Sequence, residues 1–335
     1  MLESIHFKNF KALRDATLPL GRFTLLVGPN GSGKSSVIQA IQAVRDSKVD
    51  FKSVMSAGVG ASDHIAIQMS WTQFASPSAV LTSTFTQDGR GVRNLQCVDA
   101  RNVSPDAGAN IGYQIDSMQS FALDAIGIAA PVELTSEMEL SPNGFGLAGV
   151  LDALRDLFPE RFDDLNVQLH QWLPEFNRVL FETPQQGKRA LLLRTSEGGH
   201  AIPARELSQG TLVALAILTL NYLPNPPSIV CIEELDRGIH PRLLRNILDA
   251  LYRLCYPEEH GETSPPVQVI ATTHSPYLLD LFKDHPEEVV IVQKTGLNTE
   301  FKRLSDHPHL KELIDEASLG EVWYTGILGG VPVAP

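Results

Sequence analysis

The sequence predicts an α/β fold with a mostly parallel core sheet flanked by helices. Three observations predict it. The first is the run Gly28-Pro29-Asn30-Gly31-Ser32-Gly33-Lys34-Ser35, which fits the phosphate-loop pattern G-x-x-x-x-G-K-[ST] at every required position. The second is a C-terminal half in which short apolar runs alternate with amphipathic helical patterns, as a parallel sheet requires. The third is a stretch from about residue 53 to about residue 115, rich in Ser, Thr, Gly and Asp, whose period-two alternation predicts an antiparallel β lobe.

Residues 2–10 alternate loosely through Ile5 and Phe7 and predict a first strand. The apolar run Phe23–Val27 predicts a second, feeding the glycine-rich loop, and residues 35–45 predict the helix that leaves it. Strand before and helix after are the context that separates a phosphate loop from a chance glycine turn. The glycines let backbone N–H groups curl toward phosphate oxygens, and the helix N-terminus adds positive partial charge. Residues Gly28, Pro29, Asn30, Gly31, Ser32, Gly33, Lys34, Ser35 and Ser36 are therefore the candidate nucleotide-binding set. Lys34 is expected at the β- and γ-phosphates, and the Ser35 hydroxyl on Mg²⁺.

Further along, Ile65, Ile67, Met69 and Trp71 alternate with polar residues, and residues 80–86 and 92–98 flank the turn pair Asp88-Gly89. From residue 146 the period changes. Leu147, Leu151, Leu154 and Phe158 predict one helix, stopped by Pro159, and Phe162, Leu165, Leu169 and Trp172 a second. Residues 189–195 predict a strand, 211–222 an apolar helix closed by a proline-rich break, and Ile229–Ile232 a short buried strand. Leu243, Leu244, Ile247, Leu248 and Leu251 predict another helix with Pro241 near its start. Residues 267–271 and 289–292 are further strands, and 258–266 an exposed loop.

The 335 residues are 43% apolar and 20% charged, which suits a folded protein with a sizeable core. A net charge of −12 argues against a chain coated in positive potential and leaves room for a local basic groove. Cys97, Cys231 and Cys255 lack C-x-x-C spacing, and two sit in apolar runs, so free buried thiols in a reducing cytoplasm are expected. The N-terminus lacks a signal-peptide pattern, and no apolar run reaches the roughly 20 residues that span a bilayer. A soluble, cytoplasmic protein without direct membrane insertion is expected.

Four more stretches carry chemistry: Glu206-Leu207-Ser208-Gln209-Gly210-Thr211 before a helix, Ile229-Val230-Cys231-Ile232-Glu233-Glu234, the segment Leu235-Asp236-Arg237-Gly238-Ile239-His240-Pro241, and Ala271-Thr272-Thr273-His274-Ser275-Pro276. In order and spacing they resemble the ABC-type ATPases, and most closely the compact RecF/OLD-like group of the AAA_21 kind, related to structural-maintenance-of-chromosomes ATPases. The opening residues 2–11 and the stretch 323–330 add to the likeness, which covers nearly the whole chain.

The resemblance implies a P-loop NTPase of ABC-ATPase type with an antiparallel β lobe and a helical signature subdomain. The expected organisation is a single domain over residues 1–335. A P-loop core occupies 1–52, the β lobe 53–130, the signature subdomain 131–225, and the Walker B and switch-histidine core with the C-terminal segment 226–335. Glu233 stands at the metal-binding Walker B position, where Asp is usual. Glu234 is implied to orient or deprotonate the attacking water, and His274 to contact the γ-phosphate. Ser208, Gln209 and Gly210 match the signature loop, which in the family caps the γ-phosphate of a second protomer; Ser208 also reads as an ordinary N-cap. Asp236 falls in the loop that runs along the dimer seam. The lobe-linking glutamine is unassigned, with Gln68 and Gln114 as candidates.

The implied function is an ATP- and Mg²⁺-dependent switch that closes as a head-to-tail homodimer with composite ATP sites. It would control a separate nuclease or Toprim-like effector in DNA repair or anti-phage defence, because the chain ends at Pro335, soon after the ATPase core. Two other classes share the motifs: the motor subunit of an ABC transporter, and a nucleotide sensor or scaffold with little hydrolysis. Nucleic-acid contact stays open. Lys8, Lys11, Arg14, Arg45, Lys48 and Lys52 cluster near the N-terminus, and a solvated charged face explains them equally well.

Overall fold

A computed structural model describes residues 1–328 apart from 59, 61–62, 73–78, 98–104 and 136. Val98, expected at a strand end, and Gly329 and Gly330 of the C-terminal stretch lie outside the described residues. The chain forms two compact units. Met1–Ser120, Pro227–Leu235 and Pro266–Pro335 make the first, and Phe121–Pro226 with Asp236–Pro265 the second.

The first unit is built on a six-stranded sheet in the order Asn298–Arg303, Val289–Thr295, Phe23–Val27, Gln268–Thr273, Ile229–Ile232 and Gln119–Phe121. Its centre is parallel: Leu25 sits between Ala271 and Val289, and Ile232 pairs with Ala271. Every residue of Phe23–Val27, Ile229–Ile232 and Gln268–Thr273 is buried. A parallel strand covered on both faces reads as an apolar run, as Ile229–Ile232 does throughout, Phe23–Val27 apart from Thr24, and Gln268–Thr273 only over Val269–Ala271.

A five-stranded antiparallel sheet runs in the order Leu13–Pro19, Leu2–Phe10, Ile65–Trp71, Ala79–Phe85 and Gly91–Cys97. Ile65–Trp71 and Ala79–Phe85 alternate buried and half-buried along their length, the pattern of a sheet with one covered face. The helix Lys34–Asp46 joins the two sheets. Its Val37, Ile38, Ile41 and Val44 share one apolar cluster with Phe7, Ile67 and Trp71 of the antiparallel sheet and Leu26 and Ile270 of the core sheet. At about 1.5–3 kcal/mol per fully buried large aliphatic side chain, this packing anchors the helix, and with it the loop at its head.

Two departures from the sequence reading lie in the N-terminal part of the first unit, and the strands Phe176–Glu182 and Asn298–Arg303 are also absent from that reading. Leu13–Pro19 is a strand paired with Leu2–Phe10, so Phe23–Val27 is the third strand and not the second. Only Leu13, Ala16 and Leu18 of this edge strand are buried, which leaves a weak pattern. Pro105–Asp116 is a helix within the stretch read as an antiparallel β lobe. Ile111 and Ile115, both buried, are spaced at i, i+4 on its inner face, and the Gly- and Ala-rich composition around them masked that period.

The second unit carries the helices Leu147–Leu157, Pro159–Trp172, Gln209–Leu220 and Pro241–Cys255. Its sheet centres on Lys188–Thr195, which pairs antiparallel with Phe176–Glu182, Ala201–Pro203 and Val132–Glu133. Gln209–Leu220 is buried from Gly210 onward, as an all-apolar helix must be. The buried Asp152 pairs with Arg189 Nε at 3.0 Å and with an Arg155 terminal nitrogen at 2.8 Å, and the Arg155 guanidinium lies 4.8 Å over the Phe181 ring. Asp152→Ala leaves Arg189 without a carboxylate and Arg155 with Asp156 alone, which its Nε and a terminal nitrogen reach at 2.8 Å. Both arginines keep some access to water, so we expect the substitution to lower unfolding stability by about 1–2 kcal/mol, measured by chemical denaturation. Among the described residues no helix is long and apolar enough to cross a membrane.

Candidate functional site

The phosphate loop begins where the central strand Phe23–Val27 ends. Gly28 is required by close approach, because a Cβ there would lie 2.3 Å from the Val292 carbonyl oxygen of the neighbouring strand. At the other end Gly33 has φ +115°, a conformation that side-chain-bearing residues rarely adopt, and it begins the helix Lys34–Asp46 without a side-chain cap. The first N–H groups of that helix therefore keep their capacity for an anion.

Lys34 folds back over this loop. Its ammonium donates to the Gly28 carbonyl at 2.8 Å and the Pro29 carbonyl at 2.9 Å. Burial lowers its pKa from 10.5 to about 8, against the opposing pull of Glu234. The Ser32 hydroxyl is buried with no hydrogen-bond partner among the described residues. Thr299, on the strand Asn298–Arg303, supports the loop from behind, its hydroxyl 2.9 Å from the Ser32 carbonyl and 3.0 Å from the Ala12 carbonyl.

Two more strand ends converge on the loop. Ile229–Ile232 runs parallel to Gln268–Thr273, and Glu233 and Glu234 follow it directly. The Ser35 hydroxyl donates to the Glu233 carboxylate. Burial raises the Glu233 pKa, Ser35 opposes that shift, Glu234 adds to it, and Lys11 counters it again. Glu234 is exposed and sits at φ 49°, a left-handed conformation that costs a residue with a side chain about 1–2 kcal/mol. Thr272 pins that conformation. Its hydroxyl accepts from the Glu234 N–H at 2.9 Å, and its carbonyl accepts from the Leu235 N–H at 2.9 Å. His274 leaves the end of Gln268–Thr273, whose Thr273 pairs with Val27 immediately before the phosphate loop. The next turn is also fixed: Thr273 Oγ1 accepts from the Ser275 N–H, and Ser275 caps the helix Pro276–Asp280.

The structure thus brings together Lys34, Ser35, Glu233 and Glu234 at the carboxyl ends of parallel strands, where open α/β sheets bind their ligands, with His274 on the adjacent strand end. Ser35 and Glu233 form an oxygen donor pair suited to Mg²⁺, a cation that takes its remaining ligands from phosphates and water. Among the described residues no three His, Cys, Asp or Glu cluster as a protein-only metal cage. A buried ammonium, an unpartnered serine hydroxyl and an uncapped helix start fit a phosphate chain.

Ser208, Gln209, Gly210 and Asp236 lie in the second unit. Ser208 is exposed and caps the helix Gln209–Leu220, accepting from the Thr211 N–H at 3.1 Å. A Cβ on Gly210 would lie 2.6 Å from the Gly238 carbonyl oxygen, so this turn and the segment after Asp236 pack backbone to backbone.

Sequence reasoning missed Thr272 and Thr299. The first stood in plain view in Ala271-Thr272-Thr273-His274, and the second sits on a hairpin strand whose alternation with charged residues carried no signal. Gln114 accepts from Trp71 Nε1 at 2.9 Å, which commits it to a structural contact within the first unit. Lys11 does not belong to an exposed basic face. It donates to Gln39 of the phosphate-loop helix at 2.6 Å and acts on Glu233, while Arg14 is engaged by the Ala57 carbonyl. Cys231 and Cys255 are buried free thiols, and burial followed by the Glu233 charge pushes Cys231 up to about 12, so it is inert.

Residues 23–280 match the AAA_21 family, described as "AAA domain, putative AbiEii toxin, Type IV TA system". Over 44 residues, 13% of this chain, it is 50% identical to an OLD nuclease of Thermus scotoductus. Over 41 residues, 12% of the chain, it is 51% identical to the chromosome partition protein Smc of Methanocaldococcus jannaschii. Those matches span 8% and 4% of the two relatives. An SmcHead bound to the C-winged helix domain of ScpA superposes with TM-score 0.63 at 13% identity, covering 90% of this chain and 97% of that one. An Smc head domain with an extended coiled coil, bound to the C-terminal domain of ScpA derived from Pyrococcus furiosus, gives 0.62 at 13% identity, covering 94% and 99%. At such identities the likeness shows the fold, that of an ABC-type ATPase head.

Proposed function

This chain belongs to the AAA_21 family of AAA-domain proteins, and on that premise we propose that it is an ATP-binding and ATP-hydrolysing switch. One observation carries the reading. The Ser35 hydroxyl bonds to Glu233 while Lys34 and Glu234 interact beside it, so phosphate-loop and strand-end groups form one constellation.

In this reading the loop N–H groups and the Lys34 ammonium hold the β- and γ-phosphates, and Ser35 with Glu233 would hold Mg²⁺. Bound Mg²⁺ supplies charge neutralisation on the phosphate oxygens. The Glu234 carboxylate orients a water and accepts its proton, and Thr272 keeps that carboxylate's backbone in place. His274 donates toward the γ-phosphate. The Ser208–Gly210 turn, at the N-terminus of a buried helix, caps the nucleotide of a second protomer, with Asp236 at the seam. ATP then closes a head-to-tail dimer and hydrolysis opens it. The SMC heads in the similar structures are bound to domains of ScpA, and one relative is a nuclease. By analogy, the opening and closing controls a separate effector protein in DNA repair or anti-phage defence.

Phosphate release from ATP–Mg²⁺ by the purified wild-type protein tests the activity, and its absence at saturating nucleotide refutes it. A pH signature tests the lysine. Free Lys34 titrates at about 8, and phosphate oxygens favour its ammonium, so binding takes up a proton above that pH. ATP affinity is expected to fall about tenfold per pH unit from pH 8 upward. Stability without nucleotide moves the other way. Between about 8 and 10.5 the unfolded chain binds more protons at this lysine than the folded one, so stability rises with pH. Calorimetry in buffers of different ionisation enthalpy reads the proton uptake, and Lys34→Ala removes both trends.

A further inference from the structure

Two surface features of the second unit flank the Ser208–Gly210 turn. The first is apolar. The short helix Ala125–Ala129 packs against Ala204–Glu206 and against Gln209–Leu220. The Asp124 carboxylate caps it, accepting from the Gly127 N–H at 2.7 Å, and Gly127 and Ile128 are buried. The Ala122 and Asp124 N–H groups donate to the Pro142 and Asn143 carbonyls, so the helix is tied to the turn that carries Phe145. A Cβ on Gly127 would lie 2.7 Å from the Asn143 carbonyl oxygen, which leaves no slack in that seating. Ile126 is nonetheless 86% exposed, and Phe145 on the adjoining turn is 42% exposed. One surface apolar side chain is ordinary; two large ones on fixed, mutually bonded backbone make a place for a partner.

The second feature is basic. The close approach of Gly210 to Gly238 fixes the segment after Asp236 to the same turn. His240 Nδ1 accepts from the Arg242 N–H at 3.2 Å and starts the helix Pro241–Cys255. Leu243, Leu244, Ile247 and Leu248 of that helix are buried, while Arg242 and Arg245 are exposed on its outer face. Neither guanidinium pairs with a carboxylate among the described residues. Over Leu207–Pro226 and Asp236–Leu248 the sequence holds three arginines and one acid, Asp236, in a chain of net charge −12. Positive charge is concentrated beside the turn.

A second copy of this chain with ATP bound fits both features. Its phosphate loop is bordered by Glu233 and Glu234 and would carry the triphosphate, so it is negative where this surface is positive. Arginine is the cation that protein interfaces favour, and its fork takes phosphate or carboxylate through paired hydrogen bonds. The phosphate backbone of a nucleic acid would match the arginines and leave Ile126 and Phe145 uncovered. A protein face covers both.

We propose that Arg242 and Arg245, with Ile126 and Phe145 as apolar anchors, form the surface that receives the ATP-bearing face of a second copy. This contact presupposes the head-to-tail dimer proposed above, and it names the side chains that select an ATP-loaded partner.

Sedimentation velocity in ATP–Mg²⁺ tests it on three proteins: Glu234→Gln, Glu234→Gln with Arg242→Glu and Arg245→Glu, and Glu234→Gln with Ile126→Asp. The first is expected to dimerise, and to do so more weakly as salt rises. Each surface variant is expected to raise the dimer dissociation constant at least about tenfold. Both are expected to keep the affinity for a fluorescent ATP analogue and the circular dichroism spectrum of Glu234→Gln. If Glu234→Gln alone stays monomeric, the dimer itself is refuted and this surface with it. If it dimerises and either surface variant matches it, the dimer stands and the surface assignment is overturned. Loss of ATP affinity in the surface variants also overturns it. So does a double-stranded DNA oligonucleotide that binds Glu234→Gln and not the arginine variant while dimerisation is unchanged.

Discussion

Lys34→Ala is expected to weaken ATP binding by about 100-fold or more, the loss of one to two charge-assisted hydrogen bonds at about 1.5–3 kcal/mol each. The physical case is local. In the nucleotide-free chain the Lys34 ammonium is buried and occupied with two carbonyls of its own loop, at 2.8 and 2.9 Å. Burial of a charge on neutral acceptors is the less favourable state, as the pKa lowered to about 8 records. Phosphate oxygens carry the negative charge that the site lacks. Alanine keeps the helix but removes both the cation and the loop's internal tether. A direct binding assay with a fluorescent ATP analogue checks the affinity, and circular dichroism checks that the fold survives. Retention of affinity within a few-fold of wild type would remove Lys34 from the phosphate site.

Glu234→Gln is expected to leave ATP affinity intact or slightly tighter, while turnover falls about 10²- to 10⁴-fold, the range that a positioned general base supplies. Glutamine has the same size and loses only the negative charge and the proton-accepting capacity. The backbone geometry at 234 is set by Thr272 and not by the carboxylate, so the substitution should leave the loop in place. Glu234 also lies near Lys34, where its charge raises the lysine pKa. Its removal is thus expected to shift that pKa further down, and the pH dependence of ATP binding to begin at a lower pH. Turnover near the wild-type rate would assign the base elsewhere.

Much of the first unit was legible in the sequence because its central strands are covered on both faces. Phe23–Val27, Ile229–Ile232 and the Val269–Ala271 part of Gln268–Thr273 stand out as apolar runs for the same reason that they are buried. The phosphate loop was legible because its glycines answer to backbone demands, such as the Val292 carbonyl pressing on Gly28. What escaped was whatever relies on a single polar contact made at long range. Thr299 reaches the loop from 267 positions further along the chain. Leu13–Pro19, half turned to solvent on the edge of its sheet, carries too weak an alternation to be assigned from sequence. Lys11 read as a surface charge because nothing in its neighbours announces Gln39 or Glu233. The helix Pro105–Asp116 was hidden by glycine and alanine, which weaken a periodicity without preventing the helix.

The most direct test of the switch is sedimentation velocity on Glu234→Gln protein with and without ATP–Mg²⁺, beside Lys34→Ala. The account predicts a dimer for Glu234→Gln in ATP–Mg²⁺, a monomer without nucleotide, and a monomer for Lys34→Ala in both conditions. An oligomeric state of Glu234→Gln that ignores ATP would contradict it.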